Sequence, residues 1–168
     1  MTNVNITLPD AEVLCQQLIK DVQTLIQEKN LQKPLIIGIR TGGAWLAERL
    51  QKALNLAELG ILDISFYRDD FDERGLSSQA KGSELPDSIE NRDIILVDDV
   101  LMSGRTIRAA MNEIFDYGRP ASIKLVCLID VGQRQLPIQT DLVGATLTVE
   151  SGKKVKLSGP SPLLLSVD

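Results

Sequence analysis

The chain has 168 residues, 43% of them hydrophobic, and a formal net charge of −5. That length suffices for one domain with a proper core, and the acidic balance disfavours a dedicated polyanion binder, which carries a basic surplus. Histidine is absent, which excludes Ser-His-Asp and Cys-His catalysis and ordinary zinc sites, so any chemistry must run on carboxylates, Lys, Arg, Tyr, backbone amides or a borrowed metal ion.

The opening MTNVNITLPDAEVLCQQLIK has neither the basic start nor the continuous apolar core of a signal peptide. No run approaches the roughly 18 apolar residues of a membrane span. Cys15 and Cys127 lie far apart in apolar patterns and read as buried, reduced thiols, so a cytoplasmic location is expected. Ala11, Leu14, Cys15, Leu18, Val22, Leu25 and Ile26 recur at helical spacing behind Pro9 and Asp10, which predicts an amphipathic helix. PLIIGI (34–39) reads as a buried strand ending at Arg40-Thr41-Gly42-Gly43, and a helix follows with Ala44, Ala47, Leu50 and Leu54 on one face.

ILDISFY (61–67) alternates at Leu62, Ile64 and Phe66 and predicts a strand. Residues 68–88 are polar and aperiodic, a stretch of about 20 residues that reads as a functional lid or flexible loop. DIILVDD (93–99) is the next strand, with Asp98 and Asp99 at its tip. Ile107, Ala110, Met111 and Ile114 predict a helix stopped at Gly118, with Pro120 behind it. SIKLVCLID (122–130) is a further strand, 147–157 reads as a hairpin around Ser151-Gly152, and PSPLLLSVD closes the chain as an apolar segment. Strands and helices in alternation, with strand runs too apolar to face water, predict an α/β fold. Its central, mostly parallel sheet carries helices on both faces, in one domain spanning 1–168.

In such a sheet, ligands bind outside the carboxyl ends of the strands. Three unusual segments sit there: 40–43, 98–106 and the region after Asp130. Met102 to Thr106 joins a strand to a helix through small residues, and the helix dipole with the Ser103 and Thr106 hydroxyls suits a phosphate. An ordinary capped strand–helix turn has the same signature. Adjacent Asp98 and Asp99 would repel a phosphate. They suit the vicinal hydroxyls of a ribose, or a Mg²⁺-bound sugar phosphate. Arg40 to Gly43 pairs a cation with a permissive backbone and suits a second anionic group such as a diphosphate; alone it is equally a strand–helix turn with a surface Arg.

IILVDDVLMSGRT (94–106) resembles the phosphoribosyl diphosphate (PRPP) motif of type I phosphoribosyltransferases. SFYRDDF (65–71), residues 97–123 and DVGQRQLPIQTDLVG (130–144) resemble the PyrR proteins of that family, pyrimidine operon regulators that also act as uracil phosphoribosyltransferases. The likeness runs from about Leu8 to Leu165. It implies a Rossmann-like phosphoribosyltransferase fold with a small hood. It also implies transfer of phosphoribosyl from PRPP to uracil, giving UMP and diphosphate, with Mg²⁺ carried by PRPP and no direct protein ligand for the metal. Asp98 and Asp99 would bind the ribose hydroxyls. Val97 and Met102, Ser103, Gly104, Arg105 and Thr106 would complete the PRPP site. Arg40, Thr41, Gly42 and Gly43 would form the diphosphate loop, which in this family often contains a non-proline cis peptide. Tyr67, Arg68, Asp69 and Asp70 lead into the loop, from which Arg68 and Lys81 would cover the diphosphate. Asp130, Val131, Gly132, Gln133 and Arg134 would form the hood over the base, within 130–137.

The hood departs from the Asp-Arg-Gly-His-Arg common in PyrR relatives, which implies slow turnover with uracil. The alternative reading is a catalytically weak sensor of PRPP and UMP that binds mRNA or a protein partner. Lys153, Lys154 and Lys156 form the one dense basic cluster. They read as a solvated hairpin edge, with RNA contact as the alternative. A homodimer or larger homo-oligomer is expected from the resemblance.

Overall fold

The computed structural model describes residues 6–65 and 82–168. Helix α1 (Ala11–Glu28) begins where predicted: Asp10 is extended, and its carboxylate accepts the amides of Glu12 and Val13 at 2.9 and 3.2 Å. That caps two of the N-terminal donors a helix leaves unpaired. Its apolar stripe of Ala11, Cys15, Leu18, Val22 and Leu25 is buried.

Strands β1 (Leu35–Ile39), β2 (Leu59–Leu62), β3 (Asp93–Leu101), β4 (Ser122–Asp130) and β5 (Leu142–Thr146) form one parallel sheet in the order β2-β1-β3-β4-β5. Alternate strand residues bury into two clusters. Ile36, Ile95, Val97, Val126 and Leu128 pack with α1 and with α2 (Gly42–Ala53). Leu35, Ile37, Ile94, Leu96 and Cys127 pack with α3 (Arg105–Tyr117), whose Ile107, Ala110 and Ile114 face them. Burial on both faces is why these strands read as continuous apolar runs. Among the described residues no helix is long and apolar enough to cross a membrane.

Three predicted elements shift. Of the strand expected at 61–67, residues 61–62 belong to β2, which begins earlier at Leu59, residues 63–65 lie outside any strand although Ile64 is buried, and 66–67 lie outside the described residues. Glu84 doubles back on β2, exchanging backbone hydrogen bonds with Ile61 at 2.7 and 2.8 Å, so this part of the polar segment covers the sheet edge. Strand β3 does not stop at Asp99 but runs to Leu101, because β4 continues to pair with it through Leu101↔Asp130. The hairpin expected around Ser151-Gly152 instead joins β6 (Val155–Ser158) to β7 (Leu164–Val167). The connection contains cis Gly159–Pro160 and Ser161–Pro162 bonds.

The tail is tied down over α1 and α2. Glu12 and Arg49 form an ion pair, Arg49 also donates to the Pro160 carbonyl at 2.9 Å, and the Leu163 amide donates to Glu12 at 2.7 Å. The Arg49 guanidinium and the Leu163 amide hold the Glu12 carboxyl below its ordinary range.

Candidate functional site

The segments 40–43, 102–106 and the region after Asp130 all leave from the carboxyl edge of the parallel sheet. At its centre, β1 pairs with β3 only as far as Gly38↔Val97. Beyond that point the Asp99 amide donates to Asp98 Oδ1 at 2.9 Å, and the Val100 amide donates to Asp99 Oδ1 at 2.8 Å. Each carboxylate therefore serves the next amide with its Oδ1. Asp98 is the one buried charged or polar side chain among the described residues, at 5% exposure. The opposite register position is Cys127, whose thiol is pushed well up by burial and then by Asp98, Asp99 and Asp130. It stays protonated, so it is no nucleophile.

The start of α2 lies directly against this strand. A Cβ on Gly43 would meet the Val97 carbonyl oxygen at 2.5 Å and Asp98 Cα at 3.0 Å, and one on Gly42 would meet Asp99 Oδ2 at 2.3 Å. Gly38 accepts the other side of the same contact, since a Cβ there would stand 2.7 Å from the Gly43 carbonyl oxygen. Glycine at these positions is thus a packing requirement. The preceding Arg40–Thr41 peptide is cis, as the resemblance implies. Thr41 caps α2 without a side-chain hydrogen bond.

Gly104, at φ +92°, is the N-cap of α3, and no side chain caps that helix through it. The Arg105 amide donates to Ser103 Oγ at 3.2 Å. Residues after Asp130 pack on the back of this turn. The amides of Gln135 and Leu136 donate to the Ser103 carbonyl at 2.9 and 3.1 Å, and Arg105 Nε donates to Gln135 Oε1 at 2.8 Å. A Cβ on Gly104 would meet Ile138 at 2.9 Å.

Arg134 links the two segments. It donates to the Met102 carbonyl at 2.9 Å, to the Ile138 carbonyl at 2.6 Å and, with both terminal nitrogens, to Asp130 at 2.9 and 2.6 Å. Arg134 first, and then the Gly132 amide, hold the Asp130 carboxyl below its usual range. Because that value is lowered by folding, the brace is complete at neutral pH and is lost only as the pH falls through the depressed value.

A cavity of about 200 Å³ opens here. Of the expected residues, Asp98, Met102, Ser103, Gly104, Thr106 and Val131 line it. Val97 is fully buried beneath, and Asp99 borders Gly42. Arg40 is half-buried at the end of β1, and Gly132 and Gln133 are exposed. Tyr67, Arg68, Asp69, Asp70 and Lys81 lie outside the described residues. Seven lining residues were not among those expected: Val100, Leu101 and Ile107 beside the acid pair and the turn, and Lys153, Lys154, Val155 and Lys156 from the tail. The composition of the tail residues suggested a solvated edge; only the docking of the tail brings them to the cavity. Among the described residues no group of three His, Cys, Asp or Glu side chains is placed to hold a metal ion.

The comparisons with known proteins agree with this geometry. The phosphoribosyl transferase domain family matches residues 11–158. A bifunctional protein PyrR of Pseudomonas syringae pv. syringae (strain B728a) is 52% identical over 162 residues, 96% of this chain and 95% of the relative. A bifunctional protein PyrR of Pseudomonas putida (strain GB-1) is 51% identical over 160 residues, 95% and 93% of the two chains. The solved hypoxanthine phosphoribosyltransferase of Staphylococcus aureus shares the fold, with a TM-score of 0.65 at 24% identity over 87% of this chain and 79% of that one. The purine phosphoribosyltransferase of Pyrococcus horikoshii Ot3 does so with a TM-score of 0.59 at 22% identity over 79% and 82%. An acid pair in the central strand, a helix start pressed onto it and a glycine-capped turn beside it, on a chain this close to those relatives, place the protein in the phosphoribosyltransferase family, among the PyrR proteins.

Proposed function

We infer that this protein, acting in the cytoplasm as one phosphoribosyltransferase domain over 1–168, transfers phosphoribosyl from PRPP to uracil, releasing diphosphate and forming UMP. One observation carries the reading: the Asp98–Asp99 pair, the α2 start at Gly42–Gly43 and the turn 102–106 converge at one sheet edge. Asp98 and Asp99 accept the ribose hydroxyls. The amides and hydroxyls of 102–106, with the positive end of α3, hold the 5′-phosphate. Arg40 to Gly43 take the diphosphate, whose Mg²⁺ arrives with it as part of the substrate. Arg68 and Lys81 are assigned to the diphosphate on the resemblance alone. Asp130 to Gln133 cover the base, with Arg134 bracing from behind.

The C1′–oxygen bond to diphosphate breaks as the bond from a uracil ring nitrogen forms, and the proton of that nitrogen passes to the departing diphosphate or to water. Charge spreads over an oxocarbenium-like ribosyl centre. Such a step needs charge stabilisation and exclusion of water more than a general base, which suits a chain without histidine. The buried Asp98 carboxylate beside the reacting sugar provides negative charge in a site of low dielectric. The test is Mg²⁺-dependent UMP formation from uracil and PRPP by purified protein, with hypoxanthine as the competing base. Many turnovers with uracil are expected, at a rate below that of a dedicated uracil enzyme. No UMP, or preference for hypoxanthine, overturns the reading.

Arg134→Gln is expected to raise KM for PRPP roughly 5- to 50-fold, the loss of charge-assisted bonds to Met102, Ile138 and Asp130, with a smaller change in kcat. Arg134→Lys recovers only part of this, because an ammonium cannot reproduce the fork. Steady-state kinetics on the two variants check it, and an unchanged KM counts against the brace.

A second reading, a regulator that senses PRPP and UMP with little turnover and passes the state of the pocket to mRNA or a protein partner, is favoured by the altered hood, in which Val131 and Gln133 stand where PyrR relatives commonly carry Arg and His. Exposed Val13, Phe115, Tyr117 and Leu164 support assembly into a homodimer or larger oligomer.

A further inference from the structure

The turn 102–106 offers an anion amides and hydroxyls, yet the arginines nearest to it are turned elsewhere. Arg105 donates to Gln135, and Arg134 donates to Asp130, Met102 and Ile138. Among the described residues lining the cavity, the only cationic side chains are Lys153, Lys154 and Lys156, all from the tail. Lys156 is ion-paired with Asp168 at 2.6 Å. Lys153 and Lys154 are exposed, on a backbone held by hydrogen bonds from the Lys153 amide to the Glu150 carbonyl and between Lys154 and Asp168 in both directions, at 2.9–3.0 Å.

The location of this backbone is itself enforced. The Glu12–Arg49 pair grips the tail at Pro160 and Leu163, and Gly159 lies so close to the Trp45 ring that a Cβ there would stand 2.9 Å from it. The tail thus carries a pair of lysines to the cavity that the turn 102–106 also lines, while the acid Asp98 lines it from the sheet. A ligand with hydroxyls at one end and a phosphate at the other matches that division of charge.

We propose that Lys153 and Lys154 form a cationic arm that binds the 5′-phosphate of a ribose 5-phosphate ester in this cavity, and so set how tightly the protein retains its nucleotide. The proposal rests on reading the cavity as the nucleotide site. It also gives the basic cluster an occupation other than RNA. Attraction between partly exposed charges is screened by salt, so the arm makes nucleotide affinity salt-dependent.

The experiment is calorimetric titration of wild type and the Lys153→Gln/Lys154→Gln variant with UMP, uridine and ribose 5-phosphate at low and high salt. Both side chains are exposed, so the variant should melt with the wild type. Its Kd for UMP is expected to rise about tenfold at low salt and to respond less to salt, with uridine binding unchanged. The Lys153→Arg/Lys154→Arg variant is expected to restore affinity. Equal Kd values for UMP in wild type and variant overturn the proposal, and so does an equal loss for UMP and uridine, which would put the lysines at the base. Wild-type protein that binds ribose 5-phosphate but not UMP counts against the uracil reading alone, and the lysine comparison is then read on ribose 5-phosphate.

Discussion

Asn at both Asp98 and Asp99 is expected to lower kcat/KM for PRPP by about 10²- to 10³-fold, the loss of charge-assisted acceptors at two positions, while leaving the melting temperature near that of the wild type. The fold survives because Asn keeps an Oδ1 where Asp98 serves the Asp99 amide and where Asp99 serves Val100. Removing two adjacent like charges also relieves their repulsion. What is lost is the negative charge on the carboxylates proposed to accept the ribose hydroxyls. The Asp98 substitution alone is expected to cost more than the Asp99 one, because Asp98 is buried and a charge acts more strongly there. Steady-state kinetics on the two single variants and the double variant, paired with thermal melts, make the comparison. Unchanged kcat/KM in the double variant would remove the acids from the proposed site.

Gly43→Ala is expected to do damage of a different kind. Its methyl group would stand 2.5 Å from the Val97 carbonyl oxygen and 3.0 Å from Asp98 Cα, both backbone atoms of the central strand. Neither can rotate away, so α2 must lift off β3 and take Gly42 away from Asp99. Overpacking of this sort costs roughly 1–3 kcal/mol of stability. Since a misplacement near 1 Å can cost about 10²-fold in rate, activity should fall by more than the stability loss explains. Denaturant melts and PRPP kinetics on one preparation separate the two effects. A variant as stable and as active as the wild type would show that the contact is not required.

Much of this architecture is local and could be read from the chain. Alternating strands and helices follow from period-2 and period-3.6 patterns, the start of α1 from Asp10, and the placement of the loops from the rule that parallel strands share a carboxyl edge. The acid pair and the turn after it stand within a dozen residues, so they could be read together as one candidate site. Tertiary structure decided whatever depended on a partner distant in sequence. Strand β3 outruns its acids because β4 pairs with it to Asp130. β5 was not foreseen, because its half-buried residues lack a strong pattern and its register is set by Asp141 against Leu125, whose amide donates to that carboxylate at 2.7 Å. Arg134 turns to the loop behind Met102 because Asp130, Met102 and Ile138 supply its acceptors. Lys153 and Lys154 reach the cavity because Glu12 and Leu163, 151 residues apart, are hydrogen-bonded. Composition and spacing along the chain state which groups are present; which of them face one another is decided by long-range packing, which no local period encodes.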